Sequence, residues 1–148
     1  KRPPVSPAPE AAIPGSPITK GPSPVSTIIP DAGVLVTPTT DLYQAVITHG
    51  KCVDSERPDD WFPAEPPAPP KLDPRRRGAF KRARQRYEET ARLLCGGCPV
   101  RLECLEYALR AEAGMPLTWI HGIFGGLAPW ERARIIRYRR RAAMREVA

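Results

Sequence analysis

Four cysteines are the residues of this chain best suited to chemistry: Cys52, Cys95, Cys98 and Cys104, spaced C-x42-C-x2-C-x5-C. As thiolates they are nucleophiles, disulfide formers and metal ligands. A C-x2-C pair ahead of a helix places two thiols where the helix N-terminus favours negative charge, which predicts lowered pKa values. The Gly96-Gly97 spacer would let backbone amides approach the sulfurs, an arrangement suited to a cluster whose sulfides accept hydrogen bonds. Structural zinc usually asks for two close pairs with ~2–4 residues inside each, so the x5 gap and the distant Cys52 fit it poorly. Two structural disulfides would suit a secreted chain, but Lys1-Arg2 is followed by no apolar segment of the signal type. An iron–sulfur cluster on four thiolates tolerates one remote ligand. Spacing alone leaves iron–sulfur and zinc open, with disulfides behind them. Reduced, the C-x2-C pair also matches thiol–disulfide oxidoreductases, although no βαβ pattern surrounds it and no Ser/His/Asp or paired-carboxylate site is evident. His49 and His121 are isolated and read as ordinary surface residues.

The elements that must position these thiols read as helices. Asp41 can cap a short helix through Leu42, Tyr43, Ala45, Val46 and Ile47, ended by Gly50 just before Cys52. Asp73 and Pro74 suit the cap and first position of a second helix. Phe80, Ala83, Tyr87, Ala91 and Leu94 give it one apolar face that runs to Cys95. Pro99 opens a third helix with Leu102, Leu105, Ala108 and Leu109 inward, stopped by Gly114 and Pro116. Residues 119–127 place Gly122, Gly125 and Gly126 among apolar residues and predict a tight turn. Pro129 opens a last helix over Trp130–Val147, rich in arginine.

Composition sets the limits. Of 148 residues, 20 are proline, and ten of these fall in residues 1–40, a stretch with no aromatic residue. Such a segment buries too little apolar surface to offset backbone ordering, so it reads as a disordered tail. Seven more prolines lie between Pro58 and Pro74, which reads as a loop inside the domain. The net charge of +7 is segregated: −4 over residues 52–74, +6 over 75–92 and +5 over 130–148. No stretch approaches the ~18 apolar residues of a membrane span. A core of this size often needs a staple, and the cysteines supply one.

Taken together, Cys52, Asp60-Trp61-Phe62-Pro63, Cys95-Gly96-Gly97-Cys98-Pro99-Val100-Arg101-Leu102-Glu103-Cys104-Leu105 and Gly122-Ile123-Phe124-Gly125-Gly126-Leu127 resemble the WhiB-like family of small actinobacterial and actinophage transcription regulators. The resemblance covers about residues 41–141. It departs from the family at Phe124, where tryptophan is usual, and at Trp61-Phe62, often two phenylalanines. The long basic stretch Arg75–Arg86 is also unusual. The resemblance implies a mostly α fold wrapped around an iron–sulfur cluster; with the periodicity and composition above, the expectation is a small helical domain of about four short helices and a Gly-rich turn around that cluster, with a disordered N-terminal tail. It implies a 4Fe-4S cluster on Cys52, Cys95, Cys98 and Cys104, sensitive to oxygen or nitric oxide, whose loss leaves thiols able to form disulfides. It implies binding to the C-terminal region of the principal sigma factor, and through it RNA polymerase, by Trp61, Phe62 and Phe124 beside the turn of Gly122, Gly125 and Gly126. DNA contacts are implied for the basic C-terminal part, where Tyr138 to Arg141 and Arg137 are the candidates. The arrangement expected is a tail over 1–40, an iron–sulfur domain over 41–129 and a basic helix over 130–148. The expected protein is cytoplasmic and not an enzyme, a monomer paired with sigma. A protein thiol–disulfide reductase in the apo form, or a zinc-stapled nucleic-acid-binding module, are the alternatives.

Overall fold

A computed structural model describes residues 32–67 and 74–147, with the side chains of Pro74 and Arg75 left undescribed. Five α-helices occur among the described residues: α1 (Ala32–Val36), α2 (Thr39–His49), α3 (Pro74–Leu94), α4 (Arg101–Ala111) and α5 (Pro129–Glu146). Single 3-10 turns stand at Pro58–Trp61 and Leu117–Trp119. The mostly helical fold expected from the sequence is what is found. None of these helices is long and apolar enough to cross a membrane. Tail residues 1–31, the proposed cap Asp73 and part of the proline loop lie outside the described residues.

The core is two small apolar groups. Leu105 and Leu109 of α4 meet Ile120, Leu127, Ala133 and Ile136. Tyr87 and Ala91 of α3, with Cys95 just past its end, meet Ile123 and Ala128, with Trp61 and Trp130 against them. The apolar face read from the sequence of α3 is therefore the face it buries. The glycine turn contributes to both groups, through Leu127 to one and Ile123 to the other.

Local chemistry moves some boundaries. Asp41 does not cap α2. Pro38 precedes the helix, its carbonyl takes the Asp41 and Leu42 amides at 3.0 and 3.1 Å, and Asp41 lies in the first turn. Its carboxylate there still favours the positive helix end. Helix α4 starts at Arg101 rather than Pro99, because the C-x2-C loop turns over residues 95–97 and Pro99-Val100 form a further turn ahead of the helix. Residues 32–40, which composition places in the tail, carry α1 and the start of α2. Arg110 of α4 fastens them, donating to the carbonyls of Leu35 (2.8 Å) and Thr37 (2.7 Å) and to Thr39 Oγ1 (3.1 Å). That anchor could not be read from composition because two of its three acceptors are backbone oxygens.

Candidate metal centre

Each cysteine sits at the end of an element, where a backbone direction changes. Cys52 follows Gly50, which closes α2 by donating to the Val46 carbonyl at 2.8 Å. Gly50 has ordinary backbone angles, but a Cβ there would fall 2.4 Å from that same carbonyl oxygen, so the space demands glycine. Cys95 ends the buried face of α3, its amide on Ala91 O at 3.2 Å. The Cys98 amide returns to Cys95 O at 3.3 Å, over Gly97 at φ +70°. Cys104 lies in the first turn of α4, its amide on Val100 O at 2.9 Å. Lys51 Nζ donates to Gly96 O at 3.2 Å and ties the Cys52 loop to the C-x2-C loop.

All four thiols are free and line one cavity of about 210 Å³, whose apolar walls include Val46, Leu94, Val100 and Ile123. Burial pushes Cys52 and Cys95 up from their ordinary pKa, and Cys104 up to about 12. The other sulfurs raise them further by like charge. The lowered pKa expected at a helix N-terminus is thus overturned for Cys95. It closes α3 at the end that disfavours negative charge, in an apolar wall. Opposing the rise are the Gly126 amide and the Trp61 side chain at Cys95, and the Gly125 amide at Cys104. The amides aimed at sulfur therefore come from Gly125-Gly126, not from Gly96-Gly97 as the spacing suggests. An apolar wall that resists bare thiolates at Cys52, Cys95 and Cys104 suits a group that brings its own positive charge, and four soft sulfur donors have the donor chemistry of zinc or iron–sulfur. Among the described residues no three His, Cys, Asp or Glu side chains converge as the shell of a single ion. All four cysteines line the same cavity.

The roof of that space is the Phe124–Leu127 turn, with reciprocal backbone bonds of 3.0 and 3.4 Å and positive φ at both Gly125 and Gly126. Two such residues define the tight I′ geometry that favours glycine at both centres. A Cβ on Gly125 would lie 2.4 Å from Leu105 Cβ and 2.7 Å from its Cα, so the turn lies directly on α4. Beside it, the Ile123 amide donates to Trp61 O at 2.7 Å, and Phe62 meets Phe124 edge-on at 6.1 Å. The two aromatic motifs, 62 residues apart from Phe62 to Phe124, therefore form one rim. Within it, Trp61 packs inward beside Cys95, whereas Phe62 is 59% exposed.

Arg132 holds this roof from behind. Fully buried, it grips Glu112 with Nε and Nη2 at 2.9–3.1 Å. It also donates to the carbonyls of His121 (2.8 Å), Gly122 (2.9 Å) and Leu127 (2.9 Å), and stacks on Phe124 at 5.0 Å. Sequence reading counted Arg132 with the basic C-terminal face. Its partner Glu112, twenty residues upstream in another element, left no local signal. Arg92 Nη1 binds Glu131 at 2.7 Å, and Glu131 takes the Ala128 amide at 2.9 Å, which joins the end of α3 to the start of α5.

The remaining basic candidates divide. Arg139 Nη2 pairs with buried Glu106 at 2.7 Å, and Arg140 donates to the carbonyls of Ala113 and Met115. Arg137 and Arg141 are exposed, as are Arg134 and Arg145. Offsets of 3, 4 and 4 put these four on one side of α5, with exposed Tyr138 beside them.

A family model described as transcription factor WhiB matches residues 47–135, a span holding all four cysteines, the aromatic rim and the glycine turn. No curated protein and no solved structure matches the chain.

Proposed function

The chain belongs to the WhiB family of transcription factors, and we propose that it works as an iron–sulfur regulator that joins the C-terminal region of sigma factor to promoter DNA. Carrying this reading is one observation: thiols from three separate stretches of chain line a single apolar cavity under the glycine turn. Cys52, Cys95, Cys98 and Cys104 would hold a 4Fe-4S cluster, which when bound supplies a centre reactive to oxygen and nitric oxide. A cavity of about 210 Å³ lined by all four cysteines suits a polynuclear group better than one zinc, whose ligands converge at ~2.3 Å on a single point.

The chain's own residues supply the coupling. The four cysteines tie the end of α2, the end of α3 and the start of α4 to one place. Releasing them frees the roof on which Phe124 sits, and with it the contact to Phe62. These two rings form the surface we assign to sigma, with Trp61 behind them as support. Aromatic residues of this kind are common anchors of protein interfaces. Arg134, Arg137, Arg141 and Arg145 form the surface we assign to DNA phosphates, with Arg139 and Arg140 bracing the helix that presents them. Sensing by the cluster, a one-to-one complex with sigma, engagement of RNA polymerase and a cytoplasmic location belong to the same proposal, as does a regulatory rather than catalytic role.

The test is anaerobic co-expression with the sigma C-terminal region, scoring cluster absorption near ~400 nm and co-purification together. Phe62→Ala with Phe124→Ala should keep the brown chromophore and lose sigma. Retained sigma, or loss of the chromophore, would contradict the assignment of this rim.

A further inference from the structure

The first half of α3 has no part in the site just described. Residues 75–86 hold seven Arg or Lys and no acid. Arg77, Lys81, Arg82 and Arg86 are exposed and pair with no acid among the described residues. The nearest acids along the helix are taken: Glu88 accepts the Trp130 indole, and Glu89 accepts Gln85 at 3.0 Å. This placement is locally unfavourable. Arg77 with Lys81, and Arg82 with Arg86, are like charges at i,i+4, each costing about 0.2–0.5 kcal/mol. Cations in the first turns also oppose the helix dipole. A helix built only to pack would not concentrate them there, whereas an external polyanion would relieve both penalties.

The arm is continuous with the stripe assigned to DNA. Arg84 lies over the Trp130 ring at 4.5 Å. Trp130 is in the first turn of α5, and Arg134, four residues on, opens the arginine stripe on the same side of that helix. We propose that the first half of α3 is a second, sequence-independent contact for the phosphate backbone of duplex DNA, so that the basic surface is bipartite and hinged at Trp130. The proposal rests on reading α5 as the DNA face. Six of the seven bases in residues 75–86 are arginine, the side chain matched to bidentate phosphate contacts. From residue 77 to 86 the arm spans about 14 Å, a length over which a duplex carries about eight phosphates on its two strands together.

The experiment measures duplex affinity of the cluster-loaded, full-length protein against salt. Four forms are compared: the parent, an α3 set (Arg77→Gln, Lys81→Gln, Arg82→Gln, Arg86→Gln), an α5 set (Arg134→Gln, Arg137→Gln, Arg141→Gln) and a charge-keeping α3 set (Arg77→Lys, Arg82→Lys, Arg86→Lys). Four lost phosphate contacts flatten the log–log salt slope by about 3.6, an affinity difference of about 150-fold between about 50 and 200 mM salt. The expected result is a slope shallower by more than about 1 in the α3 glutamine set, with the parent slope kept by the lysine set. A smaller change, or equal flattening in the lysine set, overturns the proposal. So does loss of sigma co-purification in the glutamine set with its DNA slope intact, which would make the arm a contact for an acidic protein. An α5 set with the parent's slope would instead refute the DNA face on α5, and a parent without salt-dependent binding would remove both.

Discussion

Replacing Arg132 by methionine separates the two roles that a C-terminal arginine can have. Its guanidinium is 0% exposed, its partner Glu112 has a side chain 11% exposed, and three carbonyls around the glycine turn depend on it. Removing one partner of a buried ion pair costs about 3–5 kcal/mol, because the other charge is stranded. The orphaned carbonyls add to this where water cannot reach them. A floor of about 3 kcal/mol is a factor of about 150 in the folding equilibrium, against a total stability of about 5–15 kcal/mol. In a domain of about 100 residues it lowers the melting temperature by at least about 12 °C. The assay is anaerobic thermal melting at matched iron content, followed by sigma co-purification, since Phe124 rests on this guanidinium. Arg132→Met should melt far below the parent and load cluster poorly. Glu112→Gln keeps one acceptor oxygen but turns the other into an NH2 donor and leaves the Arg132 charge unpaired, so it should also melt below the parent, yet lose less, because the three carbonyls keep their donor. A melting temperature within about 4 °C of the parent, together with a DNA salt slope flattened by about 0.9, would make Arg132 a phosphate contact and refute the reasoning.

Gly97 and Gly125 both have positive φ, but only Gly125 abuts the α4 backbone. Alanine at Gly97 should cost about 1–2 kcal/mol of backbone strain, and alanine at Gly125 about 1–3 kcal/mol more from overpacking; equal urea midpoints would contradict this. Tyr87 is 6% exposed, and its hydroxyl has no hydrogen-bond partner among the described residues. Tyr87→Phe should therefore stabilise the fold by up to about 1–3 kcal/mol, read as a higher urea midpoint, and a lower midpoint would reveal a partner for that hydroxyl. Burial by itself would push Glu106 up, but hydrogen bonds from Arg139 and Arg110 outweigh it and leave the carboxyl below its ordinary pKa. A depressed folded pKa gives stability that is present above the unfolded value of about 4.3 and lost as pH falls through the folded one. Arg139→Gln should shift acid unfolding to higher pH, and an unchanged acid limb would rule that pairing out.

Much of the fold was written in periodicity. The apolar spacing from Phe80 to Leu94 gave α3 and its buried face, and Gly125-Gly126 gave the turn, because both signals are local. What sequence reading missed depends on partners far along the chain. The thiol at Cys95 looked activated by a helix N-terminus and proved to be raised by burial, which only the packed wall reveals. Arg132, Arg139 and Arg140 looked like one basic face, since charge type does not report burial. Their engagement by Glu112, Glu106 and the carbonyls of Ala113 and Met115 left a different stripe exposed. The joining of Trp61-Phe62 to the glycine turn rests on one backbone hydrogen bond and one pair of rings, neither encoded in spacing.

The central claim is that the four thiols hold one polynuclear cluster. Iron, acid-labile sulfide and zinc analysis of anaerobically purified protein, combined with Mössbauer spectroscopy, tests it most directly. The expected result is about four irons and about four sulfides per chain, in a single cluster lost on Cys→Ser replacement at Cys52, Cys95, Cys98 or Cys104. About one zinc per chain without sulfide, or a colourless chain with four free thiols, would contradict it.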